Sequence, residues 1–250
     1  MSTDTGAQKT VRLARIGAGY TQIAVSPDKE YVAALRAGSL FTGRIGGRLV
    51  KRNGTGYTSV SWDPGDDLWA TSGDQIVMLS GAASPNQPLG KPVVVNVLYS
   101  DGRTQNLNSF TAVRVAPDGV RVAIIVGGTD LDFGAIVSLA TSRPTQATVE
   151  IVLSPFYVSV PSATFTSVTW YGSDDVITLS NDPGAELTEY PVDGGSSTSI
   201  PAQPHMSWIT ASPGSPLIAG LPKNAMVANS NLSGFWTKVT GTGSTAAYPG

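Results

Sequence analysis

Short runs of alternating apolar and polar residues, each interrupted by a turn, recur along this chain. The clearest begins at Phe110, and its first run places Val113 and Val115 on one face. A Pro-Asp-Gly turn follows at 117–119, and a second apolar run continues to Val126. Pro fixes φ, Asp can accept a hydrogen bond from its own backbone, and Gly tolerates a positive φ. Because the flanks are also rich in β-branched residues, the stretch is predicted to be a β-hairpin.

The same unit occurs five times, at residues 20–35, 57–71, 110–126, 165–179 and 206–220. Its turn positions are Pro27, Pro64, Pro117, Gly172 and Pro213, which lie 37, 53, 55 and 41 residues apart. Repeats of about 40–50 residues with several short strands each are typical of β-propeller blades. We therefore predict an all-β fold, a β-propeller of five blades.

Weaker patterns predict two further strands in each repeat. These lie at 39–44, 48–51, 75–79, 93–98, 134–140, 148–153, 186–190, 197–200, 226–228 and 235–239. Gly-x-Gly joints are predicted to lead from the outer strand of one blade to the inner strand of the next, at 17–19, 54–56 and 241–243. Projecting loops are predicted near 81–87, 106–109 and 155–162. Six blades stay open as an alternative, because 11–16 and 235–239 both have the pattern of an outermost strand.

The composition favours one domain with many turns. Gly and Pro make up 45 of the 250 residues, which suits tight turns rather than long helices. Residues 1–10 are polar and are predicted to lie outside the fold, as a disordered start, and 11–250 form a single domain. Cysteine is absent, which excludes thiolate catalysis, Cys-based metal sites and disulfides. No apolar run is long enough to span a bilayer, and the first ten residues do not have the pattern of a signal peptide.

Residues suited to catalysis or metal binding are few, and most have a structural explanation. His205 is the sole histidine, and it is predicted to lie in the connection into the fifth repeat. The pairs at 66–67 and 174–175 coincide with hairpin turns, where Asp is favoured by the backbone. Asp130 and Asp132 are placed in a Gly-rich loop, 127–134, where weak Ca²⁺ binding is the alternative. We predict no catalytic residue, no cofactor and no metal.

The tryptophans and the basic residues raise the question of a binding surface. Trp62 and Trp170 occupy equivalent positions two residues before their turns, which predicts packing between blades. Residues 1–60 carry nine Lys or Arg against three Asp or Glu, whereas 151–250 carry two against six. A solvated face is the simplest explanation of the basic run, and an acidic protein partner or anionic envelope polymer is the alternative. Nucleic acid is not expected, because aromatic residues are not interleaved with the basic ones. The candidate partner-binding residues are Arg36, Arg44, Arg48, Lys51 and Arg52.

Several phrases of the sequence resemble one family. AVSPDKEYVAALR at 24–36, SVSWDPGDDLWAT at 59–71, RVAPDGVRVAII at 114–125, SVTWYGSDDVITL at 167–179 and the final AAYPG are similar to the C-terminal β-propeller domain of the actinobacterial LpqB lipoprotein family. The resemblance covers nearly the whole chain from Val11. The family's full-length proteins carry a signal sequence, an acylated cysteine and a GerMN domain, which this sequence lacks. Membrane association is thus expected only through a lipid anchor absent from this chain.

The resemblance implies a function that involves binding and no catalysis. It implies an accessory protein at the extracytoplasmic face of the cell membrane that contacts the extracellular domain of an MtrB-like sensor kinase. Through that contact it would regulate an MtrAB-like two-component system, with effects on envelope homeostasis and cell division. No catalytic residues accompany the resemblance. The alternative is a propeller that binds or processes envelope glycan through its channel, which would need converging carboxyl groups.

Overall fold

The computed structural model describes residues 19–80, 82, 92–99, 109–139, 148–159, 164–181, 186–212, 215–239 and 247. Within these ranges the chain forms twenty strands and one short 3-10 helix. The strands are β1 Gln22–Val25, β2 Tyr31–Arg36, β3 Ser39–Arg44, β4 Val50–Lys51, β5 Tyr57–Trp62, β6 Leu68–Ser72, β7 Gln75–Leu79, β8 Val93–Tyr99, β9 Phe110–Val115, β10 Arg121–Val126, β11 Asp130–Leu139, β12 Thr148–Ser159, β13 Phe165–Tyr171, β14 Asp175–Ser180, β15 Glu186–Pro191, β16 Thr198–Ile200, β17 Trp208–Thr210, β18 Leu217–Leu221, β19 Ala225–Asn229 and β20 Thr237–Lys238. The 3-10 helix is Pro222–Asn224. No helix in these ranges has the length and apolar character needed to cross a membrane.

The paired strands of all five predicted hairpins are present, and the turns of the first and third form as the sequence predicted, whereas the turn position Pro213 of the fifth lies outside the described residues. The Asp118 carboxylate accepts a hydrogen bond from the backbone N–H of Val120 at 3.0 Å, and Gly119 has a φ of +74°. In the first hairpin, Asp28 accepts one from the N–H of Glu30 at 2.9 Å. These side chains satisfy backbone donors that the turn leaves without a strand partner.

Each hairpin is extended by two further strands, which gives five four-stranded blades in chain order. The first blade is β1–β4, the fourth is β13–β16 and the fifth is β17–β20, and each of these is a separate antiparallel sheet. The inner strands β1, β5, β9, β13 and β17 contact one another in that order. This arrangement confirms the all-β propeller fold. The closure of the ring involves segments outside the described residues, among them the predicted strand at 11–16, so the number of blades stays a prediction.

The second and third blades are joined into one eight-stranded sheet, which the sequence did not predict. Residues Val93–Val95 of β8 pair with β7 of the second blade. Beyond them, Asn96–Tyr99 pair in parallel with Glu150–Leu153 of β12, in the third blade. A shared core containing Trp69, Ile124 and Ile151 lies beneath this junction.

The long strands of the third blade correct two sequence-based predictions. Asp130 and Asp132 lie in β11 and not in a Gly-rich loop, where they pair with Ser159 and Tyr157 of β12. The loop predicted at 155–162 is wrong up to Ser159, because β12 continues through it. The loops predicted at 81–87 and 106–109 lie outside the described residues, apart from Ala82 and Ser109. The fourth strand of the first blade begins at Val50 instead of residue 48.

Candidate functional site: the central channel and the basic edge of the first blade

The five inner strands enclose a cavity of about 430 Å³ along the axis of the propeller. Every inner strand contributes to its wall, and Ala247 near the end of the chain lines it as well. Hydroxyl groups dominate one ring of the wall, at the second position of each repeat: Thr21, Thr58, Thr111, Thr166 and Ser207. Four of these hydroxyls donate to a carbonyl of the neighbouring second strand, as Thr166 does to Leu179 at 3.1 Å.

Side chains of one inner strand hold the backbone of the next. The Ser167 hydroxyl accepts from the N–H of Ile209 at 3.2 Å and donates to its carbonyl at 3.4 Å. Ser59 makes the same pair of hydrogen bonds with Val113. The Gln22 amide does so with Val60 in the second blade, at 3.0 and 3.3 Å. These contacts satisfy backbone groups between strands that do not pair directly.

The two equivalent tryptophans lie at these same junctions, as the sequence predicted. Trp62 donates its indole N–H to the carbonyl of Ala24 at 3.2 Å, from the second blade to the first. Trp170 donates to the carbonyl of Arg114 at 2.9 Å, from the fourth blade to the third. Both indoles are at least 95% buried. Their role is to fix one blade against the next.

Arg114 is a channel residue that the sequence analysis missed. Its guanidinium lies against three blades, because Nε donates to the carbonyl of Val168 at 3.1 Å and Nη1 donates to the Ser59 hydroxyl at 2.7 Å. Nη1 also lies within hydrogen-bond distance of the carbonyls of Val60 and Val113. Burial lowers the pKa of Arg114 to about 10. The available signal was that the equivalent position in the other repeats is always small.

The described wall of the channel contains no Asp or Glu. Two carboxyl groups facing each other across a pocket, which glycosidase chemistry requires, are therefore not found in this part of the molecule. Nor do the described residues include a group of three or more metal-ligating side chains. Asp132 is buried in β11, and His205 is an exposed residue of the connection between β16 and β17.

The carboxylates at the turns differ in their contacts, and Asp66 Oδ1 is a buried atom without a hydrogen-bond partner among the described residues. Asp63 accepts hydrogen bonds from the N–H groups of Gly65 and Asp67 at 2.8 and 3.0 Å. Asp174 forms an ion pair with Arg121 of the third blade at 2.7 Å. Burial, reinforced by the neighbouring acidic groups, raises the pKa of Asp67 and of Asp175.

The five candidate basic residues do not form one patch. Arg36 lies at the opposite end of the β2–β3 hairpin from Arg44, since Arg36 pairs with Ser39 and Arg44 with Tyr31. The strand between them spans about 17 Å. Arg36 is stacked on two aromatic rings, with its guanidinium carbon 5.3 Å from the Tyr20 centroid and 4.9 Å from that of Phe41.

Three of the candidates lie at the end of β3, in β4, or in the turn between these two outer strands of the first blade. Arg44, Arg48 and Lys51 are exposed there, and we call them the basic edge. Arg44 lies 3.9 Å from Glu30 and donates to the Tyr31 hydroxyl at 3.4 Å. Arg52 is excluded from this surface, because it is only 7% exposed and its Nε donates to the Thr42 hydroxyl at 2.5 Å. The basic edge is thus smaller than the sequence indicated.

Comparison with known proteins places these features in a family. The protein-family model for the lipoprotein LpqB β-propeller domain matches residues 3–249 of this chain. The chain is 31% identical over 236 residues to lipoprotein LpqB of Streptomyces avermitilis, with 87% of this chain and 36% of that protein covered. It is 27% identical over 214 residues to lipoprotein LpqB of Mycobacterium leprae, with 82% and 34% covered. The chain thus spans 36% and 34% of the length of these two relatives.

A search of solved structures also returned a propeller. The β-propeller domain of Cps50 (Swd1) from Myceliophteria thermophila is 10% identical, with a TM-score of 0.46, and the match covers 83% of this chain and 95% of that one. The family model spans nearly the whole chain, and its propeller agrees with the blades described above. The chain therefore belongs to the lipoprotein LpqB β-propeller domain family.

Proposed function

We propose that this chain is a protein-binding propeller without catalytic activity of its own. It is the propeller domain of a cell-envelope lipoprotein at the extracytoplasmic face of the membrane. It regulates a two-component system by binding the extracellular domain of an MtrB-like sensor kinase. Membership of the LpqB lipoprotein family supports the envelope setting. The observation that carries the binding surface is the basic edge, where three exposed cations lie on one blade.

The basic edge would be complementary to a partner with an acidic face. The fourth strand of the blade, β4, is only two residues long and both are exposed, with Val50 at 41%. Val50 exposes apolar area next to the charge of Lys51, and protein interfaces combine apolar area with a polar, solvent-accessible rim. Exposed charges act mainly on the rate of encounter and on its salt dependence.

Regulation requires more than binding. A ligand shifts a two-state protein only to the extent that it binds one state better than the other. The propeller would therefore have to favour one signalling state of the kinase. Its effect on envelope homeostasis and cell division would follow from that preference.

Calorimetric titration of this chain with the extracellular kinase domain tests the proposal. We expect binding that weakens as salt rises. The double variant Arg48→Glu/Lys51→Glu is expected to weaken binding by about tenfold or more at low salt. Its matched control is Lys223→Glu/Lys238→Glu, an equal change of charge at exposed sites in the last blade.

The two parts of the proposal fail separately. Undetectable binding by the folded native chain would overturn the kinase as partner. Binding that both double variants weaken equally would keep the partner and overturn the basic edge as its site.

A further inference from the structure

One position in the ring of inner strands differs from its equivalents. The fifth residue of the repeat is small in four blades, where it is Ala24, Ser61, Thr169 or Thr210, and it is Arg114 in the third blade. All five of these residues line the same cavity. The long side chain of Arg114 thus enters space that the other blades leave open.

The hydrogen bonds of Arg114 leave part of its guanidinium free. Nε reaches the fourth blade at Val168, and Nη1 reaches Ser59, Val60 and Val113. Every one of these acceptors is a neutral carbonyl or hydroxyl. Nη2 has no hydrogen-bond acceptor among the described residues, and it is not among their buried atoms without a partner. Because Arg114 lines the cavity, Nη2 is the nitrogen of its guanidinium that is left for a ligand in the channel.

The channel also leaves the charge of Arg114 without a counter-ion. Arg114 is the one charged residue in the described wall of the channel, and no ion pair to it is found within the described chain. By contrast, Arg121 pairs with Asp118 and Asp174 at 3.0 and 2.7 Å. Although burial lowers the pKa of Arg114 to about 10, the group stays protonated at neutral pH. An unpaired cation removed from bulk water is costly unless an anion joins it.

We propose that the central channel binds a small oxyanion, a carboxylate or phosphate group, at Nη2 of Arg114. A guanidinium is well suited to oxyanions, because its planar donors match their geometry. The cavity, about 430 Å³, is within the usual range for small-molecule sites. No acidic residue of the described wall would repel such a ligand.

Calorimetric titration with sodium phosphate and, separately, with sodium acetate tests this proposal, with sodium chloride at matched ionic strength as the reference. We expect saturable heat from at least one oxyanion and none from chloride. Binding of phosphate alone would assign a phosphate ligand, and binding of acetate alone would assign a carboxylate. Absence of saturable heat from both would overturn the proposal.

Variants separate the channel from other cations. Arg114→Met is expected to abolish the saturable heat. Because Arg114 also bridges blades and that variant could unfold, Ala24→Glu provides a second test, since it adds a carboxylate to the channel and removes no hydrogen bond of Arg114. We expect it to weaken binding by about tenfold or more, and Lys238→Gln, at an exposed site outside the channel, to leave binding unchanged. Oxyanion binding that persists in folded Ala24→Glu or Arg114→Met would overturn the site.

Discussion

At the residue scale, single polar groups decide how one blade meets the next. Trp170 is buried and donates across the junction to the carbonyl of Arg114 at 2.9 Å. The indole thus combines apolar packing with the satisfaction of a backbone acceptor. Trp236 makes a similar hydrogen bond, to the carbonyl of Pro201 at 2.8 Å, but in an exposed setting where water can replace it.

We therefore expect Trp170→Phe to destabilise the fold more than Trp236→Phe. Trp170→Phe removes the buried indole N–H and leaves the Arg114 carbonyl without this hydrogen-bond donor. The free energy of unfolding should fall by about 1–3 kcal/mol. Trp236 is half-buried and packs against the core of the last blade, but its hydrogen bond is exposed to water, so Trp236→Phe is expected to cost less. Urea unfolding of the two variants measures the difference, and equal losses would contradict the role assigned to the junction.

A second residue-scale effect comes from Glu189 in the fourth blade. Burial, followed by repulsion from Asp175, raises the pKa of Glu189. The folded state therefore holds the Glu189 proton more tightly than the unfolded state does. Stability is lost as pH rises through the interval between the unfolded and the folded pKa, and it is regained as pH falls back through that interval.

Glu189→Gln should consequently raise the urea midpoint at neutral pH. The gain over the native chain should disappear by about pH 3, where the carboxyl group is protonated in both states. Glu186→Gln, at an exposed site on the same strand, is the control and should change the midpoint little. A gain that persists at low pH would show that charge is not its cause.

At the scale of the element, the hairpins could be predicted from sequence and the outer strands only in part. The inner hairpins depend on local turn chemistry, as at 117–119, and on a clear apolar pattern. The third strands at 39–44 and 75–79 were also correct to the residue. Outer strands such as β4 are exposed on both faces, so their pattern is weak. The pairing of β8 with β12 joins segments remote in sequence, and no local pattern reports it.

The candidate site shows the same limit. Charge alone indicated an exposed basic run, but a charged residue can also be buried, as Arg52 is. Arg114 alternates with apolar neighbours, which is equally typical of an outward-facing strand position. Only the closing of the inner strands around one axis turns that position into the channel wall.

At the scale of the whole molecule, the eight-stranded sheet should make two blades respond as one. β8 pairs with β7 through its first half and with β12 through its second. The core beneath contains Trp69 and Ile76 of the second blade together with Ile151 of the third, and Ile151 is fully buried. A disturbance on one side of this core therefore reaches both blades.

Hydrogen exchange of Ile151→Ala tests this coupling. The substitution should cost about 2–5 kcal/mol, and we expect faster amide exchange in β6–β8 as well as in β9–β12, with a smaller change in β13–β16. Val94→Ala, at a side chain 49% exposed on β8, is the control and should leave exchange nearly unchanged. Faster exchange confined to β9–β12 would show that the third blade opens independently. Coupled exchange would mean that the parallel junction makes the second and third blades a single cooperative unit.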